Sequence, residues 1–257
     1  MNRPVDHFTL AGKRALVIAA DAPAGRAVSR AFVEAGAQLA LGVSIAAAQS
    51  DDLRREIGTA AANCAHFVDL SHPESVDSAV RQAAARLGGL DILICCADLF
   101  HARPLTETTD QDLNAIMATN FMVPFSAVRT AATVMRQSGS GGRIVLVSHV
   151  LGERGLPNTS AYGAAHAATQ SLVRAAAREL GPAGITVNAI ALGWMDWMRD
   201  RIPPGDQEAE RAVRFTILKR AGKPEDIGPM AVWLAGGASG FVSGQVFHLD
   251  GGLTQHI

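Results

Sequence analysis

The chain has 257 residues, 48% of them hydrophobic and 18% charged, with a formal net charge of -1. That length and apolar content support a folded core, and the near-neutral charge argues against a disordered chain or a surface that holds nucleic acid or an anionic membrane. Aromatic residues are only 5%, which argues against a base-stacking surface, and the three cysteines, with Cys95 next to Cys96, suit neither a disulfide framework nor a metal site. No metal, nucleic acid or membrane is therefore expected as a partner. Residues 1–12 mix acidic and basic side chains without a long apolar run, so they do not read as a signal peptide. The longest apolar runs are strand-length and none reads as a transmembrane helix, so a reduced, cytoplasmic setting is the expectation.

Residues 14–20 (RALVIAA) read as a short buried strand. Residues 24–35 carry a helical apolar stripe at Ala27, Phe32 and Ala35, closed by Gly36. A second strand covers 38–43 (QLALGV), and 46–57 reads as a helix exposing Asp51, Asp52, Arg54 and Arg55. A third strand is expected over 66–70, followed by a helix over 73–87 with Pro73 in its first turn. Residues 91–96 (DILICC) form a fourth strand, 110–136 one or two long helices, 143–147 (RIVLV) a fifth strand and 160–180 an alanine-rich helix. A sixth strand over 185–191, a helix over 224–235 and a seventh strand over 245–249 complete the series. Strands that alternate with helices, and that are apolar throughout, predict one α/β domain: a doubly wound, parallel, seven-stranded sheet between two helical layers. Residues 193–207, with Trp194, Met195, Trp197, Met198, Pro203 and Pro204, fit neither period. They follow the sixth strand, at the carboxyl end of the sheet, where such folds bind ligands.

The order of elements resembles the short-chain dehydrogenase/reductase family over about 10–253. The strongest match is the tail, 220–252 (RAGKPEDIGPMAVWLAGGASGFVSGQVFHLDGG); Asp91 in LDIL, Asn120 in MATNF and 160–162 (SAY) also fall in register. The resemblance implies a Rossmann-like fold and, in active members, a bound NAD or NADP with a catalytic set of Asn, Ser, Tyr and Lys. There Tyr is the acid/base, Ser holds the substrate oxygen, Lys lowers the Tyr pKa and holds the ribose, and Asn supports a water-linked proton path.

The motif positions depart from that pattern. The family's T-G-x-x-x-G-x-G loop reads Ile18-Ala19-Ala20-Asp21-Ala22-Pro23-Ala24-Gly25, so Ala19 and Pro23 replace glycines and only Gly25 remains. Pro23 has no N–H to offer a phosphate, and Asp21 puts a negative charge near a helix N-terminus, which suits the empty helix end and repels a phosphate. Gly25 reads better as a site of close helix–strand packing than as a phosphate contact. The ribose-selector position is Val43, followed by Ser44. N-N-A-G becomes Cys95-Cys96-Ala97-Asp98, with Asp98 for the glycine that lies against the cofactor. The two cysteines read as small buried hydrophobes. Asp69 in FVDL matches the family's adenine contact, and reads equally as a cap for the helix near Pro73 or as a turn residue.

In the catalytic set Asn120 and Tyr162 are kept, but the Ser position is His149 and the Lys position is His166. Ser148 is one residue early, which in a strand turns its side chain to the other face. His166 shares a helical face with Tyr162, yet a neutral imidazole supplies no fixed charge to activate a phenol whose ordinary pKa is about 10.

Three functional readings follow. The first is an ordinary NAD(P)-dependent alcohol dehydrogenase or ketoreductase. The second is a non-catalytic subunit that binds no cofactor and assembles with an active short-chain dehydrogenase paralogue, in which NAD is bound; this reading is the one favoured. Its pattern is similar to that of the inactive subunit of a heterotetrameric dehydrogenase of anaerobic toluene breakdown, whose active partner oxidises 2-(hydroxy(phenyl)methyl)succinyl-CoA. The segments matching the family's assembly surfaces, 110–136, 160–180, 224–235 and 245–249, are well kept. The third is a non-redox enzyme in which His149, Tyr162, His166 and Asn120 converge under a lid of Trp194 and Trp197.

Overall fold

The computed structural model describes residues 8–44, 53, 55, 57, 64–67, 72–201 and 208–255. Among these residues seven strands form one sheet: β1 (Arg14–Ile18), β2 (Gln38–Val43), β3 (Cys64–Phe67), β4 (Ile92–Cys95), β5 (Gly142–His149), β6 (Ile185–Leu192) and β7 (Val246–Leu249), in the order β3-β2-β1-β4-β5-β6-β7. Every neighbouring pair is parallel. β1 and β4 are the centre: Leu16, Val17, Ile18, Ile92, Leu93 and Ile94 are fully buried. Such runs are apolar because helices cover both sides of the sheet.

The helices are α1 (Pro23–Glu34), α2 (Pro73–Leu87), α3 (Asp110–Met117), α4 (Val123–Ser138), α5 (Ser160–Leu180), α6 (Glu208–Phe215) and α7 (Pro224–Ala235). α1 packs on α7, α2 packs on α4, and α5 runs along β5 and β6. Pro occupies the first turn of α1, α2, α4 and α7, where its missing N–H costs no helical bond. α2 stops at Gly88 with φ 72, the left-handed stop that glycine allows.

The seven-stranded, doubly wound fold agrees with the sequence reading, and the structure adds local detail. β3 begins two residues earlier than expected, because its pairing starts at Ala40↔Cys64. The segment 110–136 is two helices separated by a π-helical turn, Ala118–Met122, which holds Asn120. In the stretch after β6 a 3-10 turn spans Asp196–Arg201, and α6 begins at Glu208. The residue at the N-cap of α2 is His72; Asp69 lies outside the described residues, as does most of 46–57. No helix among the described residues is long and apolar enough to cross a membrane.

The strand order reverses between β1 and β4. Their carboxyl ends therefore open a crevice, with β5 and β6 extending its wall, and this crevice is where a doubly wound sheet places a ligand.

Candidate functional site

The crevice is built from strand ends. At the end of β1, Ala19 holds φ 56, a left-handed conformation that strains a residue with a Cβ. The turn it makes is closed by Ala22 N–H donating to Ala19 O at 3.1 Å. Gly25 then brings α1 onto this turn: a Cβ there would stand 2.0 Å from Ala19 O and 2.8 Å from Ala20 Cα. The position is sterically closed to any larger residue.

Asp21 does not cap α1, as its position near the helix end had suggested. Its carboxylate instead crosses to the end of β2, where Oδ1 accepts the Ser44 N–H at 3.0 Å and Oδ2 accepts the Ser44 hydroxyl. The N-cap position belongs to Ala22, one residue later, and a strand-end amide without a partner is the stronger acceptor-seeker. Val43, at the selector position, is 2% exposed and packs in the core.

The chemistry-bearing side chains gather further along. Tyr162, on the first turn of α5, donates its hydroxyl to Asp98 Oδ1 at 2.7 Å. The same oxygen is 3.4 Å from His166 Nε2, one turn further along the helix. His166 Nδ1 lies 3.3 Å from Ser148 Oγ. Gln170, a turn further on, donates from Nε2 to His149 O at 3.0 Å and to Ser148 Oγ at 3.4 Å. The ring of Tyr162 is enclosed by His166, His149 and Phe100, with centroids 4.4, 5.4 and 5.2 Å away. His149 accepts the Leu151 N–H at Nδ1, so in the neutral ring its proton sits on Nε2.

These groups face a narrow cleft whose other walls include Ala22, Pro23, Leu192, Trp197 and Met198. Pro23, Asp98, His149, Tyr162 and His166 are thus brought together, while Ala19, Gly25 and Val43 are spent on packing. Asn120 is tied elsewhere: Oδ1 accepts Leu99 N–H at 2.7 Å and Nδ2 donates to Leu99 O at 3.0 Å, which locks the loop after β4 to the π-turn. Cys95 and Cys96 are 1% exposed, and burial pushes the Cys95 thiol up to about 12 and that of Cys96 well above its ordinary value. Among the described residues no cluster of His, Cys, Asp and Glu could hold a metal.

Two expectations are corrected here. Ser148 does not face away: it lines the cleft and reaches the helix that carries His166. β5 ends at His149, where a 3-10 turn begins, so the alternation of a regular strand no longer separates the two side chains. Trp197 and Met198 form the apolar wall, and Trp194 is not part of it. Gln170 was not anticipated, although its place four residues after His166 on the same helical face is the signal for it.

A doubly wound sheet with this order, and a Tyr on the helix that follows β5, defines a Rossmann-like oxidoreductase scaffold. The chain matches the family model described as Enoyl-(Acyl carrier protein) reductase over residues 18–254. It is 33% identical to an uncharacterized oxidoreductase of Mycobacterium tuberculosis over 98% of this chain and 95% of that one. It is also 33% identical to the (2S)-[(R)-hydroxy(phenyl)methyl]succinyl-CoA dehydrogenase subunit BbsC of Thauera aromatica, over 96% of both chains. A gluconate 5-dehydrogenase from Burkholderia cenocepacia, solved with NADP and tartrate, superposes with a TM-score of 0.90 at 28% identity, covering 99% of this chain and 100% of that one. The chain belongs to the short-chain dehydrogenase/reductase family, and its type is that of the family's oxidoreductases.

Proposed function

We propose that this chain is a subunit of a dehydrogenase assembly and does not itself carry out hydride transfer, working instead beside an active short-chain dehydrogenase paralogue that binds NAD. The observation that carries this reading is the 2.7 Å hydrogen bond from Tyr162 to the Asp98 carboxylate. A phenol acts as a general base only when its ionised form is stabilised. A lysine ammonium would do that; a carboxylate at hydrogen-bond distance does the reverse, because a phenolate there would face a like charge.

The cofactor positions support the same reading. A dinucleotide needs backbone N–H groups and a positive helix end for its pyrophosphate. Here Pro23 removes a donor, the Asp21 carboxylate, bound to Ser44, adds a negative charge to the β1–α1 turn, and Gly25 is the one glycine of the motif that remains. Asp98 occupies the place of a glycine at the nicotinamide end. These residues fit a dinucleotide poorly, and no step is routed through one in this chain. By analogy with the relative named as a dehydrogenase subunit, the assembly acts on a hydroxyacyl-CoA, such as 2-(hydroxy(phenyl)methyl)succinyl-CoA; a cytoplasmic heterotetramer is the form proposed for it.

Calorimetric titration of the purified chain with NADH at low salt tests this directly. No binding at millimolar cofactor is expected, together with a stable complex with a co-expressed paralogue in native mass spectrometry. Micromolar binding by the chain alone overturns the reading and restores an ordinary dehydrogenase. The double variant His149→Ser with His166→Lys is expected to show no NAD-linked activity, since Asp21, Pro23 and Asp98 remain; strong activity in that variant would mean the loop changes were harmless.

A further inference from the structure

Away from the cleft, the end of the chain is tied back to the turn that follows β5, and His248 makes the tie. Asp250, just past β7, accepts the N–H of Gly252 at Oδ1 and that of Thr254 at Oδ2, each at 2.8 Å. The Thr254 hydroxyl donates to the same Oδ2 at 2.8 Å. Burial alone would raise the Asp250 carboxyl, but the bonds from Thr254 and Gly252, together with His248, hold it below its ordinary value, so it is an ionised acceptor. A hydroxyl has one hydrogen, and that of Thr254 is taken by Asp250. Thr254 Oγ1 therefore offers only lone pairs to His248 Nδ1, 3.2 Å away, and the ring nitrogen is the donor. The other ring nitrogen, Nε2, lies 3.0 Å from Glu153 Oε2. With the hydrogen on Nδ1, a neutral ring would set a lone pair against that carboxylate oxygen. A hydrogen must lie between them, and an imidazole holds a proton more tightly than a carboxyl does. The pattern closes only when both ring nitrogens carry hydrogens.

We propose that residues 248–255 form a pH-sensitive strap, closed while His248 is an imidazolium between Thr254 and Glu153 and loosened when Nε2 gives up its proton. Glu153 directly follows the 3-10 turn Val150–Gly152, and His149, which caps that turn through Nδ1, lines the cleft. The closed strap thus fixes one rim of the cleft to the end of the chain. The charged groups around His248 are Glu153, from the turn after β5, and Asp250, from the turn after β7. Arg174 on α5 places Nη2 4.0 Å from Glu153 Oε1, and Arg154 Nη1 donates to Leu253 O at 2.9 Å. β6, the strand paired with β7, has no charged residue. When the proton leaves, His248 no longer offsets the two carboxylates, and Glu153 turns to Arg174. The Arg154 bond does not titrate in this range, so the strap loosens without detaching. The side chains of His248 and Glu153 are 27% and 36% exposed, which keeps the effect modest. The strap involves none of the positions that would hold a dinucleotide, so the proposal stands whether or not the chain is a subunit of a dehydrogenase assembly.

The experiment is amide hydrogen exchange of the full chain from about pH 5 to about pH 8, read over 246–255 and 149–156 and corrected for the intrinsic pH dependence of exchange. Protection of both segments should fall about twofold to fivefold across that range, the size expected for losing one half-exposed ion pair. NMR of the chain labelled with nitrogen-15 in its histidine rings should show hydrogens on both ring nitrogens of His248 at the acid end. In Glu153→Gln the side-chain amide can donate to an unprotonated Nε2, so the strap no longer needs the proton and the pH dependence should vanish. A contact that only packs the tail would keep the same dependence in that variant. Protection that stays flat in the wild type, a His248 ring with one hydrogen at the acid end, or a wild-type pH dependence in Glu153→Gln overturns the proposal. The first reading is made on the wild-type chain, so it stands even if the variant fails to fold.

Discussion

Two aspartates mark the two ends of β4, and their surroundings differ. Asp91, just before the strand, accepts three bonds from Arg14: backbone N–H at 2.9 Å, Nε at 2.8 Å and Nη2 at 2.7 Å. Its charge is met by a guanidinium in a two-pronged pair, the geometry that makes Arg–carboxylate contacts strong. Asp98, just past the strand, accepts the Tyr162 hydroxyl at 2.7 Å and lies 3.4 Å from His166 Nε2. At the amino ends a carboxylate is thus paired with a guanidinium, while past the other end of β4 a carboxylate lines a cleft. The first arrangement ties β1 to β4; the second is kept at some cost to stability, as sites of chemistry often are.

That contrast is sharpest in the response to losing each side chain. Asp91→Ala should destabilise the fold by about 2–3 kcal/mol, because the change leaves a partly buried Arg14 without its partner and unsatisfies a backbone N–H. Urea unfolding at neutral pH measures it; a loss under about 0.5 kcal/mol would erase the difference between the two ends.

The pH dependence of the same pair gives the next largest effect. The hydrogen bonds from Arg14 hold the Asp91 carboxyl below its ordinary value, against the burial that raises it. A carboxyl with a lowered folded pKa stabilises the protein at any pH above its unfolded pKa, about 3.9. The stability gap between wild type and Asp91→Ala should therefore be constant from neutral pH down to about 5. It should close as the pH falls below the unfolded value and through the folded pKa. A gap that closes on raising the pH would contradict the assignment.

What the sequence makes legible divides along the same line. Asp91 was placed by its register in LDIL, and its partner Arg14 lies at the start of the neighbouring strand; both follow from apolar runs whose ends are easy to read. Gly25 was likewise assigned to packing from its motif position, and a Cβ there would meet the Ala19 carbonyl. At the carboxyl ends, Tyr162, His166 and Asp98 were each found by spacing. Their bonds were not, because a side chain beyond the end of a strand points where the local turn sends it. Ser148 shows this: one residue of offset predicts the wrong face in a continuing strand, but β5 stops at the next residue. Asp21 shows it too, since its acceptor role at Ser44 depends on how far the β1–α1 turn leans toward β2.

Tyr162→Phe tests the other end of β4 at lower cost. The ring stays enclosed by His149, His166 and Phe100, and the bond to Asp98 is lost. The carboxylate faces the cleft, where water replaces the phenol, so a loss of about 1 kcal/mol is expected rather than the full penalty of a buried orphan. A loss as large as that of Asp91→Ala would mean that Asp98 is as much a structural clamp as Asp91.

The smallest expected effect carries the opposite sign. Asp98→Asn keeps an oxygen that accepts the Tyr162 hydroxyl, and removes a negative charge from the cleft. Holding a charge near low-dielectric walls costs free energy, and Val147, Leu192 and Met198 supply such walls here. The variant should therefore be as stable as the wild type, or more stable by up to about 1 kcal/mol, in the same urea titration. The corresponding change at the other end, Asp91→Asn, should be destabilising, because the amide can no longer balance Arg14. Opposite signs for one chemical change at the two ends of one strand would establish that β4 separates a structural carboxylate from a functional one; equal losses would show that Asp98 is as structural as Asp91.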